Sequence, residues 1–258
     1  MAGLFAMWRS TRMVVLTAIC AALYAAILIP FKVVPLIPGV TEFRPANAVP
    51  IVCSFLFGPA GAWGAAFGNL IGDFFGGLGP GDLFGFVANL GYGLVPYAVW
   101  GAVTDAPPVG GGPVRWLGLL LVIALASTLC ATIVGWGLHT LGFHPFTVLG
   151  PLVLANNLVA AAVLAPLLLG VLYPRIARAR LLFRDLLPPR APTSRARRAL
   201  GVALVVAGTV GGFAAGELIG LGRWTPPWSV VHTTGGTAEM GLGLLPIIAT
   251  AAVGLALL

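Results

Sequence analysis

The sequence predicts an all-α integral membrane protein: a six-helix bundle with two additional C-terminal membrane helices. Three observations carry this. The chain of 258 residues is 59% hydrophobic and only 8% charged, where soluble domains carry about 25% charged residues. Its mean hydropathy is +1.02, and its apolar runs are of membrane-spanning length. Its arginines gather between apolar runs, chiefly from Arg175 to Arg198, where only Asp185 opposes them. That clustering is the positive-inside pattern. It accounts for the net charge of +7 without nucleic acid, because no basic stretch is interleaved with stacking aromatics.

The first run, Met13 to Ile29, follows Arg9 and Arg12. It is long for a signal-peptide core and no small-residue cleavage site follows, so it is expected as a retained first helix. Ala18, Ala22 and Ala26 give it a smooth face suited to another helix. Pro30 to Pro45 is an apolar, proline-rich loop expected to fold back as a lid. A short second helix spans about Ala46 to Phe57, and FGPAG turns the chain into a third, Ala60 to Phe75. Gly64, Gly68, Gly72 and Gly76 recur every fourth residue there, a small-residue face that lets membrane helices approach closely. GGLGPGD (Gly76 to Asp82) has strong turn chemistry. The fourth helix runs about Leu83 to Val103, with a bend expected at Pro96. TDAPPVGGGP connects it to a fifth, Val114 to Leu138. A loop with His139 and His144 leads to the sixth, Val148 to Tyr173.

Three segments follow from this: residues 1–176 as a six-helix membrane domain, 177–198 as an Arg/Pro-rich cytoplasmic linker, and 199–258 as a two-helix extension. In the extension, Gly208, Gly212, Gly216 and Gly220 repeat the four-residue pattern. Glu217 is expected to pair with Arg223. The charge pattern places both termini in the cytoplasm, and the lid, the Gly76–Asp82 loop and the His139–His144 loop outside, provided the second and third helices are separate spans.

The stretch from Arg44 to Trp100 carries Arg44, Asn47, Asn69, Asp73, Asp82 and Asn89 within an apolar context. A charge at the bilayer centre costs about 2.5–3.5 kcal/mol on insertion scales, so such residues mark functional sites. The parse brings them to one depth at the outer ends of their helices. The substrate-binding candidates are Arg44, Asn47, Asp73, Asp82, Asn89, His139, Asn156 and Asn157. An amide both donates and accepts, which suits orienting a polar ligand; bonding between helices is the competing role. Asp73, one turn inside, is read as a ligand contact. Asp82 is read first as a cap of the fourth helix. Of the adjacent Asn156 and Asn157, one is expected at the site and one in packing.

His139 and His144 lack the further ligand a metal would need, so no metal and no cofactor is expected. Cys20, Cys53 and Cys130 lie within apolar runs and read as small buried hydrophobes. The chain contains no GxSxG, HExxH or Walker A motif, so no enzyme activity is expected.

Four stretches, TRMVVLTAICAALYAAI, RPANAVPIVCSFLFGPAGAWGAAFGNLIGDFFGG, GPGDLFGFVANLGYGLVPYAVW and NNLVAAAVLAPLLLGVLYPRI, resemble the substrate-binding S component of an energy-coupling factor (ECF) transporter, over about residues 10–176. The resemblance implies high-affinity capture of a vitamin or similar micronutrient from outside. It implies a transmembrane coupling protein and two cytosolic ATPases that supply the ATP chemistry. It also implies that Ala18, Ala22 and Ala26 face the coupling protein. S components usually end after their sixth helix, so the two C-terminal helices depart from the pattern. A stand-alone secondary transporter or membrane scaffold is the alternative; a proton-coupled carrier would want a carboxylate near the midplane.

Overall fold

The structure, a computed structural model, describes residues 2–31, 34–37, 41–42, 44–188, 193–229 and 236–258. A short helix α1 (Ala2–Ala6) and one 3-10 turn precede α2 (Thr11–Phe31). Two short antiparallel strands, β1 (Pro35–Ile37) and β2 (Thr41–Glu42), follow. A 3-10 turn, Pro45–Asn47, opens α3 (Ala48–Phe57), then α4 (Pro59–Phe74) and α5 (Gly81–Val103). The rest is α6 (Gly112–Thr140), α7 (Phe146–Arg178), the short α8 (Phe183–Leu186), α9 (Arg195–Gly220) and α10 (Gly236–Leu257). The chain is an all-α membrane protein, and among the described residues six helices are long and apolar enough to cross a bilayer. The expected lid at Pro30–Pro45 falls partly outside the described residues.

Apart from the single-turn α1 and α8, the short helices are α3 and α4, at 10 and 16 residues. At 1.5 Å per residue they reach about 15 and 24 Å. Only Gly58 separates them, with φ at +51°, a conformation that favours glycine. Pro59 then starts α4, where its missing N–H costs nothing. The two helices run antiparallel, because Asn47 before α3 and Asn69 late in α4 line the same cavity.

The glycine stripe of α4 brings backbones into contact. A methyl group on Gly64 would collide with Cys20 of α2, and one on Gly68 would lie 2.8 Å from the Ala21 carbonyl oxygen. Gly93 of α5 meets α4 in the same way, with Ala62 Cα at 2.7 Å from such a methyl. Helix α5 runs unbroken through Pro96. The next amide, Tyr97 N–H, donates to Ser54 Oγ of α3 at 3.2 Å.

At the opposite end of the bundle, the Phe183 ring lies against the Gly58 turn and edge-on to Tyr97 at 5.6 Å. Arg184 Nη1 donates to the Asp105 carbonyl at 3.0 Å. This ties α8 to the loop after α5.

The C-terminal glycines are used inside the molecule and do not form one outward stripe. Gly208 abuts Ala251 of α10, Gly212 faces Thr132 of α6, and Gly216 packs under Phe146 of α7. The expected Glu217–Arg223 pair is not formed: Glu217 Oε1 has no hydrogen-bond partner. Six residues amount to about 240° of extra rotation around a helix. In addition, α9 has ended by Gly222, whose φ is +66°, so Arg223 is exposed beyond it.

Candidate functional site

A cavity of about 270 Å³ opens where the last turns of α4 face the start of α5, with α2, α6 and α7 completing the walls. Arg44, Asn47, Asp73, Asp82, Asn89, Asn156 and Asn157 all line it. The α3–α4 hairpin returns Asn69 and Asp73 to the end at which Asn47 begins it, and α7 brings Asn156 and Asn157, more than a hundred positions on, against Arg44 and Asn47.

Asn47 is the centre of the inner wall. It is 3% exposed. Its Nδ2 donates to Asn157 Oδ1 at 2.5 Å, and its Oδ1 accepts from the Tyr24 hydroxyl at 2.9 Å. Its carbonyl accepts from the Tyr92 hydroxyl at 3.0 Å. One residue at the head of α3 thereby joins α2, α5 and α7. The Tyr24 hydroxyl also lies 3.2 Å from Asn89 Oδ1, while Asn89 Nδ2 donates to the Gly85 carbonyl one turn earlier.

Asn156 and Asn157 both line the cavity, and Asn157 also has the packing role expected of one of them, through its bond to Asn47. Neighbouring helical residues project about 100° apart, and this cavity is wide enough to receive both. Asn156 Oδ1 accepts from the Arg44 backbone N–H at 3.3 Å, whereas Asn157 bonds Asn47.

The outer wall carries the carboxylates. Asp73 Oδ2 accepts from Asn69 Nδ2 at 2.6 Å. Gly85 faces this pair, and a methyl on it would lie 3.1 Å from Asn69 Nδ2. Asp82 Oδ2 accepts from the Gly79 N–H at 2.6 Å. It therefore fixes the glycine-rich loop rather than capping the helix from outside, and it still lines the cavity.

His139 is not among the residues lining the cavity. Its Nδ1 accepts from the Phe146 N–H at 3.0 Å, which satisfies one open donor at the start of α7. Among the described residues, no group of three His, Cys, Asp or Glu side chains is placed to hold a metal ion.

The selection of candidates left out Tyr24, Asn69 and Cys130, all of which line the cavity. Asn69 had a readable signal: it is a buried amide four residues before Asp73 in a glycine-faced helix, the spacing at which helical side chains meet. Tyr24 had a fainter one, as the only tyrosine in an otherwise aliphatic first helix.

Residues 14–174 match the family model of QueT transporters. The chain belongs to the QueT transporter family. QueT is an ECF-type S component, so the match and the motif resemblance agree. The matched segment covers α2 to α7 and stops before α9 and α10. No curated protein and no solved structure matches the chain.

Proposed function

We propose that this chain is the substrate-capturing S component of an ECF-type importer and that its substrate is a queuosine precursor. QueT is an S component for that class of molecule. The observation that carries the reading is the convergence on one cavity of buried amides and half-buried carboxylates from the turn before α3 and from α4, α5 and α7.

A queuosine precursor is a deazaguanine-type base, planar and rich in N–H donors with one lactam carbonyl. Amides that both donate and accept suit such edges. The cavity volume of about 270 Å³ lies just below the roughly 300–1,000 Å³ of drug-sized ligand sites. That volume suits a single bicyclic base better than a cobalamin-sized molecule. In this reading the cavity faces outward and both termini are cytoplasmic.

The coupling protein would dock on α2. Ala21 and Ala25 are buried against the bundle, while Ala18, Ala22 and Ala26 are exposed. They form a low strip among exposed Val15, Ile19 and Leu23. The coupling protein and two ATPases supply the energy; this chain contributes capture.

The test is uptake of a radiolabelled queuosine precursor by cells expressing the chain with and without an ECF coupling protein and ATPases. Uptake that needs the partners supports the proposal. Uptake that persists without them and collapses with the proton gradient favours the stand-alone carrier.

A further inference from the structure

A second concavity lies at the end of the bundle away from the substrate cavity. The substrate cavity takes the start of α5 and the last turns of α6. This groove, of about 780 Å³, takes the end of α5 and the first half of α6, and α9 closes its other side. Val103, Leu121, Leu125, Val202, Val206 and Val210 give it an apolar wall. Three of its polar side chains are spent within the protein. Trp100 Nε1 donates to the Ala106 carbonyl at 2.8 Å, Thr128 Oγ1 donates to the Ala124 carbonyl at 2.8 Å, and Thr104 Oγ1 accepts from the Ala106 N–H at 3.1 Å. The charged residue of the wall is Arg115. Its guanidinium lies back against Gly111, where a methyl would collide with it, at the mouth of the groove. Trp116, next in the chain, is exposed, and a tryptophan at the end of a spanning helix marks the headgroup level. Asp105, between the lining residues Thr104 and Ala106, is taken up by Arg184 at 3.5 Å.

We propose that this groove holds an acyl chain of an anionic phospholipid, with the headgroup phosphate on the Arg115 guanidinium. Three observations choose this occupant. Val103, Leu121 and Val210 are exposed on spanning helices, so the groove opens sideways to lipid and not to water. From Arg115 to Thr128, α6 covers about 20 Å, and one leaflet of a hydrocarbon core is about 15 Å deep, so the groove has the length of one chain. The charge at its mouth is positive and stands at phosphate depth. A guanidinium pairs with phosphate through two parallel hydrogen bonds, and basic pockets between spanning helices are where anionic headgroups bind. A zwitterionic lipid brings a second cation beside Arg115 and loses that advantage. The bound chain bridges α9 to α5 and α6. Because α9 lies beyond the segment that the family model matches, the site belongs to the C-terminal extension.

The experiment is native mass spectrometry of the purified, delipidated full chain titrated with phosphatidylglycerol and with phosphatidylcholine of the same acyl chains. The wild-type chain is expected to bind its first phosphatidylglycerol about fivefold more tightly, the worth of one basic residue at a membrane surface. Arg115→Gln is expected to bring the two lipids to near-equal affinity. Arg197→Gln, which removes an exposed arginine at the start of α9 outside the groove, is expected to keep the preference. Val206→Trp fills the groove and is expected to weaken both lipids. Equal wild-type affinities overturn the proposal. A preference that falls as much in Arg197→Gln as in Arg115→Gln overturns it in favour of general surface charge. Unchanged binding in Val206→Trp overturns it as well, and a wild-type dimer that takes up no lipid gives the groove to a second copy. If Arg115→Gln does not fold, the wild-type ratio and Val206→Trp decide.

Discussion

Asn69 Nδ2 lies 2.6 Å from Asp73 Oδ2, one turn apart on α4. The pairing is local, yet it orients an outer-wall carboxylate over a cavity whose inner wall comes from three other helices. Gly85 of α5 gives the pair its room, so a side chain there would press on Asn69.

Gly85→Ala separates binding from stability. The substitution gains about 1 kcal/mol of helix propensity, while its methyl presses on Asn69 from 3.1 Å. Precursor affinity is expected to fall about tenfold, with a melting temperature in detergent at or near that of the wild type. Parallel titration and thermal unfolding check this.

Asn47→Ala removes two side-chain bonds, to Tyr24 and Asn157. Interhelical bonds in membranes average about 0.6 kcal/mol each, so about 1 kcal/mol of stability is expected to be lost. Binding should suffer far more, because Tyr24 and Asn157 lose the residue that positions them. A small shift in unfolding with loss of detectable binding is the expected pair of results.

Gly68→Leu should disrupt the bundle itself. Its first carbon already meets the Ala21 carbonyl at 2.8 Å, and over-packing of this kind costs about 1–3 kcal/mol or more. Gly79→Ala is the control, since a methyl there meets nothing. Size-exclusion profiles are expected to show aggregation for the first variant and wild-type behaviour for the second.

Ala22→Trp places bulk on the exposed strip of α2. Precursor binding by the isolated chain is expected to stay unchanged, while partner-dependent uptake is lost. Equal uptake by the variant would move the coupling surface off this strip.

The architecture was legible because a bilayer forces two things into the open: the length of each span and the cost of each polar group within it. FGPAG announced the α3–α4 break through a glycine that takes positive φ and a proline that starts a helix. Arg44, Asn47, Asp73, Asp82, Asn89, Asn156 and Asn157 stood out as costly residues, and the fold gathers them. His139 stood out equally but serves the start of α7, and residue type does not separate these roles. Tyr24 escaped because a membrane tyrosine ordinarily marks the interface, and only the fold shows it 1% exposed against Asn47. Glu217 and Arg223 failed as a pair because sequence distance hides where a helix ends.

The most direct test is native mass spectrometry of the wild-type chain and Asn47→Ala after incubation with a queuosine-precursor base. The account predicts one precursor per wild-type chain and none on the variant. A wild-type chain that carries no precursor, or a variant that retains it undiminished, contradicts the claim that this cavity is where the protein captures its substrate.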